Sequence, residues 1–120
     1  SMWARVVRDT GTVREHAAQL TDGAVKRSRV YQLLQGLDTI ALESSAQSAT
    51  DPTLARLLRL YLDELQHVQP LLDGDDLIGM GMPEGPMVGR LLKQLLEARL
   101  DGLVSTREDE EELVLEEHQR

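Results

Sequence analysis

The stretch from Pro70 to Gly102, PLLDGDDLIGMGMPEGPMVGRLLKQLLEARLDG, constrains this chain more than any other. It reads as a short helix, a tight glycine–proline turn and a long amphipathic helix. Asp75 or Asp76 opens the short helix, with Leu77, Ile78 and Met80 on its apolar side. Gly81 and Gly85 bracket Met82, Pro83 and Glu84. The glycines permit positive φ, and Pro83 fixes the backbone between them. Pro86 suits a first helical turn, where its missing N–H costs nothing. Gly89 lies one turn further on. A glycine inside a helix costs about 1 kcal/mol against alanine, which points to a close approach there. Gly102 is a natural stop.

The long helix is checked by angle at 100° per residue. Val88, Leu91, Leu92, Leu95, Leu96, Ala98, Leu100 and Leu103 fall on one broad side. Arg90, Lys93, Gln94, Glu97 and Asp101 fall on the other. Arg99 breaks the pattern by falling within the apolar arc. Either its stem lies along leucines with its head paired to a carboxylate, or it presents a cation at a helix–helix seam.

The rest of the chain extends this helical reading. Residues 2–22 read as helix, with Trp3, Val6, Val7, Val13 and Leu20 as apolar points and Gly11 as a possible break. A second helix over 25–35 opens on the basic cluster Lys26-Arg27-Ser28-Arg29 and ends at Gly36. Asp38 or Thr39 caps a third through Ser48, and Asp51-Pro52 starts a fourth that runs to about Val68. Its outer stripe is Arg56, Arg59, Asp63 and His67, with Arg59 and Asp63 spaced for an i,i+4 pair. Ser105 or Thr106 caps a last helix to about Glu117, and Thr106 with Asp109 forms a capping-box pattern. With leucine dominant, no Phe and a single Trp in 120 residues, packed helices are favoured over a β-sandwich. The expected fold is all-α: six to seven short helices in a compact bundle, with a Gly/Pro-turn helix pair. Three segments are expected: a helical lead-in over 1–24, a helical body over 25–106, and an acidic C-terminal helix over 107–120.

Composition narrows the chemistry. There is no cysteine, which excludes disulfides and thiol catalysis. No apolar run approaches the roughly 20 residues that cross a bilayer, and no signal peptide is visible, so a cytoplasmic location is expected. The net charge is −8, of which residues 107–120 carry −5. That acidity argues against indiscriminate nucleic-acid binding but leaves room for a local basic patch. His16, His67 and His118 lie far apart without zinc spacing. Asp73, Asp75 and Glu84 start a calcium-loop count that fails at Leu77 and Ile78. No nucleophile elbow or Walker lysine is present. What remains is a helix–turn–helix offering backbone N–H groups to a phosphate from Gly81 to Gly89, with Arg90 and Lys93 next door. The alternative is that the glycines simply make a tight αα-corner.

Three segments also resemble the C-terminal helical region of bacterial tRNA nucleotidyltransferases, the CCA-adding and A-adding enzymes, and the related poly(A) polymerases. They are Ser28-Arg29-Val30-Tyr31-Gln32-Leu33-Leu34 with Gly36-Leu37; Tyr61-Leu62 through His67-Val68 and Pro70-Leu71-Leu72; and Gly74-x-Asp76-Leu77, Gly81-x-Pro83-x-Gly85-Pro86-x-x-Gly89, Glu97-Ala98-x-Leu100-Asp101-Gly102 and Thr106-Arg107-Glu108. The resemblance covers roughly residues 25–112. It implies a tRNA-binding module without the catalytic head, not active alone. The expected partners are the tRNA acceptor and T-arm and the catalytic head of the same parent chain. Mg2+ and ATP or CTP belong to that head, and no cofactor is expected in this fragment. The alternative is a structural or dimerising helical module, a homodimer without RNA contact. Members often carry basic residues where this chain has Glu64, Gln66, Gln69 and Asp75. The RNA-contact candidates are therefore Gly81, Gly85, Gly89, Arg90 and Lys93, with Arg27, Arg29, Arg56 and Arg59 as a second set.

Overall fold

The computed structural model describes residues 2–118. Residues 1, 119 and 120, which the expected segments 1–24 and 107–120 include, lie outside the described residues. Among the described residues there are seven α-helices, one 3-10 turn and no strand. The chain is all-α, as its leucine periodicity requires. It divides into two units, Ser1–His67 and Val68–Arg120. The division falls inside the stretch 25–106 that the sequence reading treats as one body.

The first unit contains α1 (Met2–Leu20), α2 (Arg27–Leu34), α3 (Thr39–Ser48), α4 (Pro52–Asp63) and a 3-10 turn over Leu65–His67. Helix α1 runs through Gly11 without a break. Val6 before Gly11 and Val13 and Leu20 after it are all buried, and packing outweighs the weak local propensity. Trp3 and Val7, read as apolar points, are exposed instead. Asp38 caps α3 by accepting the Ile40 N–H at 2.9 Å, and Asp51 caps α4 through Thr53 with Pro52 behind it. Helix α4 ends at Asp63, short of the expected Val68. Beyond it the bonding tightens, His67 N–H donating to Glu64 C=O, and Leu65 is fully buried on that tighter turn. Tyr31 and Tyr61 meet in this core with ring centroids 6.0 Å apart.

The second unit contains α5 (Gly74–Gly79), α6 (Pro86–Leu100) and α7 (Arg107–His118). Its core is Leu72, Leu77, Met82, Leu91, Leu95 and Val114. The cap of α5 is Asp73 rather than Asp75 or Asp76. Asp73 and Asp76 accept each other's backbone N–H at 2.9 Å, a reciprocal pair that a cap further along could not make. Thr106 and Asp109 form the capping pair read from the sequence, at 3.1 and 3.2 Å.

Candidate nucleic-acid interface

The two glycine stops share one geometry. At the end of α5, Gly81 (φ 101°) donates to Ile78 C=O and Met82 to Leu77 C=O. At the end of α6, Gly102 (φ 75°) donates to Arg99 C=O and Leu103 to Ala98 C=O. This is the paired closure in which a left-handed residue returns two N–H groups to the last turn. Met82 then drops into the core beside Leu77 and anchors the turn. The Gly81 N–H is therefore engaged by the protein, and it is not one of the free N–H groups that the sequence reading gave to the bend. Its left-handed backbone is the helix closure itself.

The rest of the bend is exposed: Pro83, Glu84, Gly85, Pro86 and Gly89 all lie at the surface. Gly85 (φ 130°) stands directly before α6 and gives it no side-chain cap. A Cβ built at Gly89 meets nothing within 4 Å. No part of the described chain approaches it, so the close approach inferred from its helix cost is not an internal one. Arg90 and Lys93, one and four residues on, are exposed, and neither forms an ion pair among the described residues. Arg90 borders a shallow cleft with Gln94 and Glu117. Lys93 borders an apolar groove of about 400 Å³ walled by Pro70, Leu72, Leu92 and Leu96.

The second set of candidates lies in the first unit and is unevenly free. Arg59 is paired with Glu43 and also lies 3.8 Å from Asp63. Arg27 pairs with Glu64 at 3.1 Å. Arg29 donates to Gln19 at 2.8 Å and to Gln32 at 3.3 Å, which leaves its charge unneutralised. Arg56 is exposed and without an ion pair among the described residues.

A residue that sequence reasoning passed over holds the frame of this unit. Glu110 is fully buried, yet it reads as one acid in an acidic helix start. Its carboxylate accepts the Leu71 and Leu72 N–H groups at 3.0 Å and the Arg99 guanidinium at 2.7–2.8 Å. Arg99 also donates to Ser105 C=O at 3.3 Å. The carboxylate partner expected for Arg99 is thus Glu110. The sequence carried half of the signal, a lone cation on an apolar arc, and did not single out Glu110 among the acids of α7. Burial pushes the Glu110 carboxyl up, but the two amides and Arg99 outweigh it and hold it below its usual range. The Asp73 N–H and Arg107 lower Asp76 likewise, and the Ser105 and Thr106 N–H groups lower Asp109.

Among the described residues no three His, Asp or Glu side chains converge where a metal could sit. The means of binding at this surface are N–H groups, two cations and an apolar groove. No helix of the described chain is long and apolar enough to cross a membrane.

The described residues form an all-α module with an exposed glycine-proline bend before a leucine-rich helix, and its sequence is similar to parts of two enzymes. The chain is 35% identical over 86 residues to the A-adding tRNA nucleotidyltransferase of Geobacter sulfurreducens, covering 72% of this chain and 10% of that protein. It is 34% identical over 114 residues to the CC-adding tRNA nucleotidyltransferase of Thermus thermophilus, covering 87% of this chain and 26% of that protein. The resemblance to tRNA nucleotidyltransferases read from the three segments over roughly residues 25–112 is therefore real. The chain spans about a tenth and a quarter of the length of these relatives. No family model and no solved structure matches it.

Proposed function

We propose that this chain is a tRNA-binding module of a tRNA nucleotidyltransferase, holding the acceptor and T-arm while a separate catalytic head adds nucleotides. The observation that carries the reading is the pair Arg90 and Lys93, exposed and unneutralised beside the open Gly85–Gly89 backbone, in a chain similar to enzymes named for tRNA. Phosphates bind such a surface through cations and backbone N–H groups, and each contact released of its counterion steepens the salt dependence by about one. The second reading is a dimerising module, favoured by the exposed Met2, Trp3 and Val7 on α1.

One titration separates the two. Fluorescence anisotropy of the chain with tRNA gives a salt-dependent affinity, and Arg90→Glu with Lys93→Glu weakens it at least tenfold and flattens the log–log salt slope by about two. A tRNA affinity indifferent to that double change, with a tight dimer in sedimentation, gives the dimer reading instead.

A further inference from the structure

The first unit contains a cleft that the tRNA-contact residues of the second unit do not include. It opens between the α1–α2 turn and α4 and measures about 300 Å³, the lower end of the size of a small-ligand site. Leu20, Val25, Leu57 and Leu60 line its apolar part. Arg27 and Arg56 line it from α2 and α4, and Asp22 lines it from the turn. Arg56 has no ion pair among the described residues. Arg27 is held by Glu64 at 3.1 Å, but both side chains are more than half exposed, and a pair of that kind yields readily to a phosphate. Asp51, the other acid near this end of α4, already accepts the Thr53 N–H.

Apolar surface, two guanidiniums and a carboxylate in one small cleft match the parts of a nucleotide. The base takes the aliphatic wall, the flanking phosphates take the guanidiniums, and a base N–H donor takes the carboxylate. A bare phosphate leaves the apolar wall unused and meets Asp22. A helix is too wide for the space. We infer that this cleft receives one unstacked nucleotide of a bound RNA strand, with Arg56 and Arg27 on its phosphates and Leu57 and Leu60 under its base. The inference rests on the RNA-binding reading above, but on a different unit and different residues.

The test uses the whole 120-residue chain, 15N-labelled, titrated with the single-stranded ribotrinucleotide UUU and separately with inorganic phosphate. UUU shifts the amide signals of Gly23, Val25 and Arg56, and phosphate alone leaves Val25 in place. Arg56→Gln, an exposed change whose fold is checked by circular dichroism, weakens UUU binding about tenfold. Equal shifts with phosphate and UUU overturn the base contact. Shifts absent from these amides, while tRNA binding sensitive to Arg90 and Lys93 persists, overturn the cleft and leave the RNA reading standing. No binding of either RNA by the unaltered chain overturns the reading beneath it.

Discussion

The two units are built from the same kind of helix but carry their charge differently. Residues 1–67 hold eight acids and eight Lys or Arg. Residues 68–120 hold thirteen acids and five Lys or Arg, so the whole net charge of −8 resides there. Each unit buries one carboxylate on backbone N–H groups. In the first, Asp9 accepts the Asp38 N–H at 2.7 Å, with Arg8 Nε 3.3 Å away and largely in solvent. In the second, Glu110 takes two N–H groups and a mostly buried guanidinium. The acidic unit places one carboxylate at the centre of its frame and leaves most of the others outside. The neutral unit depends on leucine contacts and uses its carboxylate as a local brace. A phosphate chain approaching the second unit therefore meets a net negative charge, and Arg90 and Lys93 are exposed cations there without an ion pair among the described residues.

That contrast breaks most readily at the two buried acids. Glu110→Ala orphans two amides and the Arg99 head, and costs about 3–5 kcal/mol. Asp9→Ala orphans one amide and costs about 1–3 kcal/mol. Native-state hydrogen exchange checks both: the first change strips protection from α6 and α7, the second from the start of α3. Equal effects at the two sites would erase the distinction.

Acid sharpens the same contrast. The carboxyls of Asp76, Asp109 and Glu110 are held below their ordinary values of 3.8 for Asp and 4.5 for Glu. A lowered folded-state value stabilises fully above the ordinary value and loses that stabilisation as pH falls through the folded one. All three groups belong to the second unit. Exchange protection of α5–α7 is expected to decline as pH drops below about 4.5, while that of Leu58 and Leu62 in α4 holds longer.

The smallest effect is at Gly89. Nothing within 4 Å opposes a Cβ there, so Gly89→Ala stabilises α6 by up to about 1 kcal/mol, read as a rise of a few degrees in Tm. If RNA backbone is what approaches this glycine, the same change lowers tRNA affinity while raising Tm.

What could be read from the sequence was what short-range chemistry decides. Asp38, Asp51-Pro52, Thr106 with Asp109, and Gly102 act on N–H and C=O groups within a few residues, and each stands where it was expected. The angular position of Arg99 announced a carboxylate partner, but nothing local named Glu110, eleven residues away on the next helix. Asp9 and Asp38 are separated by 29 residues, so the burial of Asp9 had no local sign. The break after Asp63 and the continuity through Gly11 were set by which side of each helix its unit covers. At the interface, the exposure of Arg90 and Lys93 followed from periodicity. The engagement of the Gly81 N–H did not, because one glycine can serve a ligand or a helix end, and only the backbone decides which.

The clasp at Glu110 joins residues 39 apart in sequence. Closing a loop of that length costs on the order of 3 kcal/mol in chain entropy before the contact returns anything. During vectorial synthesis, α5 and α6 leave the ribosome with Leu71, Leu72 and Arg99 still facing water. The unit becomes whole only once the turn of α7 that carries residue 110 has emerged. Its assembly is timed by its last helix.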